Sequence, residues 1–431
     1  MPRRTIFQPK AIIGLTALAV VLAALFWQFG FDWRARFKKR PNVVIIVIDA
    51  LRENHLGCYG YSRPTSPFMD WLGRRGVFFR NVITQSSWTK TAVASLLTSL
   101  YPEAHGIRRD KDVLPKELLL ISEVFKTHGY RTCCVQGNPW LTTEFGFNQG
   151  YENFVYSAPL RASDLNKQAL EWLDREKDRP FFLYLHYMDV HNPHKPPPQF
   201  LIFGKERIDR YDGAILHMDT KIKELFQELE KRNLIKNTWI VITSDHGEEF
   251  YEHRRINHAR TLYNEVLRVP LIFYHPGVPR KGKAVKRQVR HIDVALSVLD
   301  LARIPIPETM EGISLKKNLA WAFDFQNKDL EAFSQVGLNN LAPGKDLIAI
   351  TTPNSKYIYN FKNGWQQLYD LRTDPQEKHN LASSRSDLTK TLRERVERFR
   401  KIQRLKRTAI IEETEIDEEL KEQLRSLGYL R

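Results

Sequence analysis

Residues 42–49 read Asn42-Val43-Val44-Ile45-Ile46-Val47-Ile48-Asp49, six β-branched residues in a row closed by an acid. A β-branched run without polar alternation offers no face to water, so it reads as a strand buried on both sides in a parallel sheet covered by helices. The pattern returns at residues 181–187 (FFLYLHY), at 239–243 (WIVIT) followed by Ser244-Asp245-His246-Gly247, and at 269–274 (VPLIFY). Helix-prone stretches separate these runs. Strands alternating with helices predict an α/β fold, whose ligands gather at the carboxyl ends of the strands. Asp49 and Asp245 both stand there.

Working outward, the texture changes after residue 340. Short strand-like runs at 346–351, 356–360 and 366–370 predict a small antiparallel subdomain. Residues 385–431 are charged and helix-prone, and end in Leu424-Arg425-Ser426-Leu427-Gly428-Tyr429-Leu430. At the other end, residues 11–31 carry only Thr16 and Gln28 as polar side chains, and a helix of that length spans about one hydrocarbon thickness, roughly 31 Å. The run closes with Phe26, Trp27, Phe29 and Phe31, interfacial aromatics without a small-residue cleavage site, which predicts an uncleaved anchor. Arg3, Arg4 and Lys10 precede the span and Arg34, Arg36, Lys38, Lys39 and Arg40 follow it, so loop charge leaves the orientation open. The expected division is an anchor with a basic flank at 1–40, a catalytic domain at 41–340, a β subdomain at 341–384 and a helical tail at 385–431.

The 431 residues carry a formal charge of +16, of which +7 falls in residues 1–40. The remaining +9 suits a soluble surface, anionic lipid or polyanionic substrates, and no nucleic-acid motif accompanies it. Hydrophobic residues at 42% and charged residues at 27% exclude a disordered tail and a polytopic membrane protein. Three cysteines, two of them adjacent, supply neither a disulfide framework nor a four-thiolate zinc site.

A hard divalent cation requires carboxylates, a hydroxyl or an imidazole on rigid strand ends, and Asp49, Asp245 and His246 qualify. A lone Asp after a strand also serves as a helix cap; two such strands make a site the better reading. The stretch Ser86-Ser87-Trp88-Thr89-Lys90-Thr91-Ala92-Val93-Ala94-Ser95-Leu96-Leu97-Thr98 reads as a polar turn entering an apolar helix. A hydroxyl at its start is either an N-cap or a nucleophile favoured by the helix N-terminus and a metal.

The order of these segments resembles the sulfatase family of the alkaline phosphatase superfamily from about residue 41 to 430. The resemblance is carried by Val47-Ile48-Asp49-Ala50-Leu51-Arg52 with His55-Leu56-Gly57-Cys58-Tyr59-Gly60; Ser95-Leu96-Leu97-Thr98 with Tyr101-Pro102 and His105-Gly106; Asp189-Val190-His191-Asn192-Pro193; and Thr243-Ser244-Asp245-His246-Gly247-Glu248. Leu262-Tyr263-Asn264-Glu265, Arg268-Val269-Pro270-Leu271-Ile272, His291-Ile292-Asp293 and Leu368-Tyr369-Asp370-Leu371 follow in the family's order. It implies a mixed, mostly parallel sheet sandwiched by helices and metal-dependent ester cleavage.

The departures bear on mechanism. The family's formylglycine signature falls on Thr89-Lys90-Thr91-Ala92-Val93, with Thr at the position of the modified Cys or Ser and without the signature Pro and Arg. The family's Gly-Lys-Trp-His segment aligns with Gly137-Asn138-Pro139-Trp140, and a second Asp after the first is Ala50. The set Asp49, Thr89, Asp245 and His246 therefore resembles the one-metal sites of lipoteichoic acid synthases and phosphoethanolamine transferases, which generally carry Glu at the position of Asp49. That resemblance implies one divalent ion (Mn, Zn, Ca or Mg) on those four residues, Thr89 as nucleophile and no formylglycine. It also implies His191 near the leaving group and His258, rather than His253, at the transferred anion. Lys90, Asn138 and Trp140 fall at substrate-contacting positions. The expected activity is a membrane-anchored hydrolase or transferase of phosphate esters or phosphodiesters, facing out of the cytoplasm. A glycan or lipid head group would carry the anionic ester, and nucleic acid is not expected. Two alternatives stand beside it: a sulfuric-ester hydrolase without formylglycine, and an inactive domain that binds an anionic glycan or lipid.

Overall fold

The alternation within Asn42–Ile48 (β1) decides the layering. Val43, Ile45 and Val47 join one buried cluster and Val44, Ile46 and Ile48 join another, one on each face of the sheet. In this computed structural model residues 40–156, 161–175, 178–279, 281–320 and 329–429 are described. The central sheet also contains Val77–Ile83 (β2), Arg131–Gln136 (β3), Asn153–Tyr156 (β4), Phe181–Tyr187 (β5), Thr238–Thr243 (β6), Leu271–Tyr274 (β9) and Lys283–Arg290 (β10). Glu249–Phe250 (β7) and Ile256–Asn257 (β8) form a separate two-stranded ribbon.

The strand order is β10-β2-β9-β6-β1-β5-β3-β4, and every neighbouring pair is parallel except those made by β9. The mixed, mostly parallel α/β architecture is thus present. Helices Thr89–Thr98, Ile121–Thr127 and Asp293–Leu301 contribute to the first apolar cluster, and Pro67–Arg75, Ala162–Arg175 and Arg207–Lys231 to the second. Each Val or Ile side chain so buried contributes about 1.5–3 kcal/mol, which makes the sheet a rigid platform. Val47 is in register with His186 on β5 and with Thr243 on β6, so the carboxyl ends of the three central strands lie side by side.

A second sheet, β11-β12-β13-β14, is antiparallel and comprises Ala332–Gly337, Asp346–Thr351, Ser355–Asn360 and Gln366–Asp370. Its first strand lies upstream of residue 341. Helix Ser386–Lys406 covers it through Leu392, Val396 and Phe399. Arg400 binds Glu103 at 2.9 Å and Asp346 at 2.5 Å, and Arg108 binds the same two acids. Residues 41–431 form one compact unit. Among the described residues no helix is long and apolar enough to cross a membrane, and the span expected at residues 11–31 lies outside them.

Candidate active site

The backbone turns sharply as β1 ends, with Ala50 at φ 59°. This left-handed conformation is tolerable for a small side chain and directs Asp49 over the strand ends. Asp49 Oδ2 accepts from Asn138 Nδ2 at 2.7 Å and lies 3.1 Å from His186 Nε2. Its other oxygen, Oδ1, is buried without a hydrogen-bond partner among the described residues. Asp245 is similarly divided: Oδ1 accepts from the amides of His246 (2.9 Å) and Ala50 (3.3 Å), whereas Oδ2, 3.3 Å from His246 Nε2, has no hydrogen-bond partner among the described residues. Burial opposes charge on Asp49, but the His186 hydrogen bond and the nearby His191 and His246 outweigh it. They hold the carboxyl well below the usual range.

Thr89 opens the helix Thr89–Thr98, and the preceding residue Trp88 makes no side-chain cap. The Thr89 hydroxyl faces the strand ends, with Oγ1 3.0 Å from His246 Nε2 and 3.4 Å from Asp49 Oδ2. Thr84, in the same entering loop, donates to the Asp245 carbonyl at 2.6 Å, and Ser87 donates to the Thr261 carbonyl at 2.7 Å. These bonds fix Thr89 relative to Asp245.

His246 Nδ1 lies 2.9 Å from the Gly247 carbonyl, so with its proton there Nε2 presents a lone pair to Thr89. Gly247 is required: a Cβ there would meet the Glu265 carbonyl oxygen at 2.0 Å. Burial works against a charged His246, but Asp245 and Asp49 win and raise it above its ordinary value. The His258 ring lies tilted against that of His246, centroids 4.2 Å apart, with His191 5.0 Å from His258. Burial and the neighbouring His246 lower His258. Glu248, with Oε1 3.5 Å from His258 Nδ1, is held down to about 2 by His258 against the cost of its own burial.

The structure therefore brings together Asp49, Thr89, Asn138, His191, Asp245, His246 and His258. His253 lies elsewhere, bonded to Glu265. Lys90 requires a correction. Its Nζ donates to the Asp110 carbonyl at 2.6 Å and lies 3.4 Å from the Phe145 ring centroid, fully buried, so it does not present its charge to substrate. Successive helix residues point in different directions, and Lys90 follows Thr89. Trp140 is also fully buried, packed edge-on against Trp88. Two site residues were not singled out from sequence. His186 is the one imidazole in the apolar run FFLYLHY, a readable signal; Tyr429, whose hydroxyl lies 3.4 Å from Thr89 Oγ1, gave none.

Two partnerless carboxylate oxygens beside a hydroxyl and an imidazole lone pair suit a divalent cation. Asp49, His186 and Asp245 also place ligand atoms within 4.8 Å of one another.

This is a mixed, mostly parallel α/β scaffold with its polar centre over the ends of parallel strands. The chain belongs to the sulfatase family, whose model matches residues 41–304; the model of the N-sulphoglucosamine sulphohydrolase C-terminal region matches residues 251–402. An ulvan-active sulfatase of Formosa agariphila is 26% identical, covering 79% of this chain and 77% of its own. The phosphonate monoester hydrolase of Agrobacterium radiobacter superposes with a TM-score of 0.75 at 18% identity, covering 88% of this chain and 99% of that one. A structure solved in complex with its substrate D-glucosamine-2-N,6-O-disulfate superposes with a TM-score of 0.73 at 17% identity, covering 85% and 98%.

Proposed function

We propose that this sulfatase-family hydrolase cleaves phosphate esters, foremost phosphodiesters or phosphonate monoesters, through a covalent intermediate on Thr89. The observation that carries the reading is the Thr89 hydroxyl held between His246 and Asp49, beside the two partnerless carboxylate oxygens. Asp49, Asp245, Thr89 and His246 would hold one divalent cation, and their mixed oxygen and nitrogen donors suit Mn or Zn. When bound, that cation supplies Lewis-acid stabilisation of the charge on the transferred group.

The chain's own residues do the rest. Thr89 Oγ1 faces Asp49 Oδ2, which takes its proton as the bond from Oγ1 to phosphorus forms. His191, with Nδ1 2.8 Å from the Asn192 carbonyl and a buried partnerless Nε2, protonates the departing ester oxygen as the old bond breaks. The neutral imidazole then takes a proton from water, or from an acceptor hydroxyl, as the attacking oxygen bonds to phosphorus and the bond to Thr89 Oγ1 breaks, and Asp49 Oδ2 returns its proton to the departing Oγ1.

Threonine at this position bears on the ester class. A formylglycine sulfate ester can collapse by elimination, whereas an esterified threonine must be displaced, a step that phosphoryl centres permit. Charge narrows the class further. No lysine or arginine is among the groups that bond Thr89, Asp49 or Asn138 among the described residues. A monoanionic ester thus fits better than a dianion. The rival is a sulfate ester, also a monoanion, which sulfated-glycan-active relatives favour.

Acid-quenched turnover of bis(4-nitrophenyl) phosphate by the Mn-loaded protein should leave the 4-nitrophenyl phosphoryl group on Thr89, read by peptide mass spectrometry. A sulfate ester with the highest kcat/KM among matched aryl substrates would reverse the assignment. Residues 11–31 are proposed to anchor the chain, with the catalytic domain outside the cytoplasm. Topology reporters fused after residue 431 test that placement.

A further inference from the structure

The C-terminal tail reaches the site at Tyr429. Helix Glu418–Ser426 is capped by Asp417, whose side chain accepts from the Leu420 amide at 2.8 Å, and is held by the fully buried Leu424 and by a bond between Tyr156 and Gln423. The chain then reverses through Gly428, at φ 80°, and the Tyr429 amide donates back to the Leu424 carbonyl at 2.8 Å. This turn directs the Tyr429 ring inward. The ring centroid lies 5.0 Å from His191, 5.7 Å from His258 and 5.9 Å from Trp140.

The hydroxyl of Tyr429 is under-committed. Its partners are Thr89 Oγ1 and Asn138 Nδ2, both at 3.4 Å, long for bonds to a hydroxyl. Each has a shorter bond elsewhere, Thr89 to His246 at 3.0 Å and Asn138 to Asp49 at 2.7 Å. Three other buried tyrosines differ, although the Tyr151 hydroxyl is without a hydrogen-bond partner among the described residues. Tyr211 donates to the Ala50 carbonyl at 2.7 Å, Tyr130 to the Pro41 carbonyl at 3.0 Å and Tyr59 to the Phe79 carbonyl at 3.0 Å. A buried donor is normally given such an acceptor. Tyr429 instead has its hydroxyl beside the Thr89 hydroxyl, 3.4 Å from Oγ1.

We propose that Tyr429 is a substrate-contacting residue, its hydroxyl donating to a nonbridging oxygen of the ester held at Thr89. The inference rests on the Thr89 reading above and extends it: the tail is part of the site, and it supplies a neutral donor beside residues that, among the described residues, no lysine or arginine bonds. Neutral donors suit a monoanionic phosphodiester or phosphonate ester.

Tyr429→Phe in the full chain deletes the hydroxyl and keeps the ring against Trp140 and His191. With Mn bound, kcat/KM for bis(4-nitrophenyl) phosphate should fall about 10–100-fold, in the range of a lost transition-state donor. Orthovanadate, titrated calorimetrically, should bind about tenfold more weakly, with the melting temperature little changed. A purely structural hydroxyl would shift the melting temperature and leave vanadate affinity alone, which overturns the inference. Faster turnover by Tyr429→Ala than by wild type also overturns it, by assigning the ring as a plug. If Thr89→Ala is dead while Tyr429→Phe matches wild type in both turnover and vanadate binding, only this inference falls. If Thr89→Ala is fully active, the Thr89 reading falls instead.

Discussion

Replacing Thr89 separates a chemical role from a structural one, because the two predict effects of different size. Thr89→Ala removes contacts of 3.0, 3.4 and 3.4 Å to His246, Asp49 and Tyr429. Only the first is short, and a hydrogen bond contributes about 0.5–1.5 kcal/mol net. Losing the buried methyl costs about 0.8 kcal/mol, while alanine recovers up to about 0.7 kcal/mol in helix propensity. The net loss is about 1–2 kcal/mol, a shift of a few degrees in melting temperature. Turnover should respond far more. Losing a nucleophile that acts with its neighbours costs roughly 10⁴-fold or more, equivalent to about 5.5 kcal/mol of barrier. Thr89→Ser keeps the hydroxyl and should stay within about 100-fold of wild type, since what it loses is methyl packing. The assay is steady-state hydrolysis of bis(4-nitrophenyl) phosphate with Mn, beside a thermal melt of the same preparations. A Thr89→Ala enzyme within tenfold of wild type would refute the nucleophile.

Asp245→Asn removes the charge behind one of the two partnerless oxygens while an oxygen remains to accept from the His246 and Ala50 amides. Bound Mn or Zn, measured by elemental analysis after gel filtration, should drop from about one per chain to trace amounts, a single bound ion being what this donor set suits; full retention counts against the ligand set. Glu249, buried with neither oxygen hydrogen-bonded among the described residues, is pushed up to about 8 by burial and by Glu265. The folded state holds this proton more tightly than the unfolded chain, so stability is full below the unfolded value and is lost as pH rises through about 8. Glu249→Gln should therefore gain in melting temperature relative to wild type between pH 5 and about 8, and a flat difference contradicts the assignment. Lys356 and Glu377 form a wholly buried ion pair at 2.8 Å. Glu377→Ala leaves the ammonium unpaired and should cost about 3–5 kcal/mol in chemical denaturation, whereas a loss below about 1 kcal/mol would mean water reaches Lys356.

The parts of the fold that were legible share one cause. A run such as NVVIIVI declares burial on two faces, and burial on two faces in an α/β chain nearly fixes the sheet type. Direction is another matter. The run at 269–274 is as apolar as the others, yet Leu271–Tyr274 lies antiparallel between β2 and β6. Apolar composition is unchanged by reversing a strand, so only the connections determine its sense. Asp49 and Asp245 were legible because parallel neighbours carry their carboxyl ends to one edge, whatever the loops do. His186 belongs to the same logic, since its register partner Val47 lies two residues before Asp49. A polar ring in a strand with no wet face has to be satisfied somewhere, and here it meets Asp49.

Lys90 and Tyr429 mark where sequence reasoning stops, and for opposite reasons. Lys90 adjoins Thr89 in the chain, but a helix turns each residue away from its predecessor. Its ammonium ends on the Asp110 carbonyl and the Phe145 ring. Tyr429 stands 340 positions from Thr89, and no periodicity or motif spacing links them. Its placement depends on Leu424 finding the core and on Gly428 supplying a left-handed turn, both read only once the tail is packed. Adjacency in sequence overstates proximity on a helix, and it says nothing about segments that return from the far end of the chain. A site at the carboxyl edge of a sheet is exposed to both errors, because its base is set by strands and its walls by whichever loops and termini fold over it. Asp49 and Asp245, at strand ends, were legible from their position alone, whereas the tail-borne Tyr429 was not, because its place depends on how the far end of the chain packs.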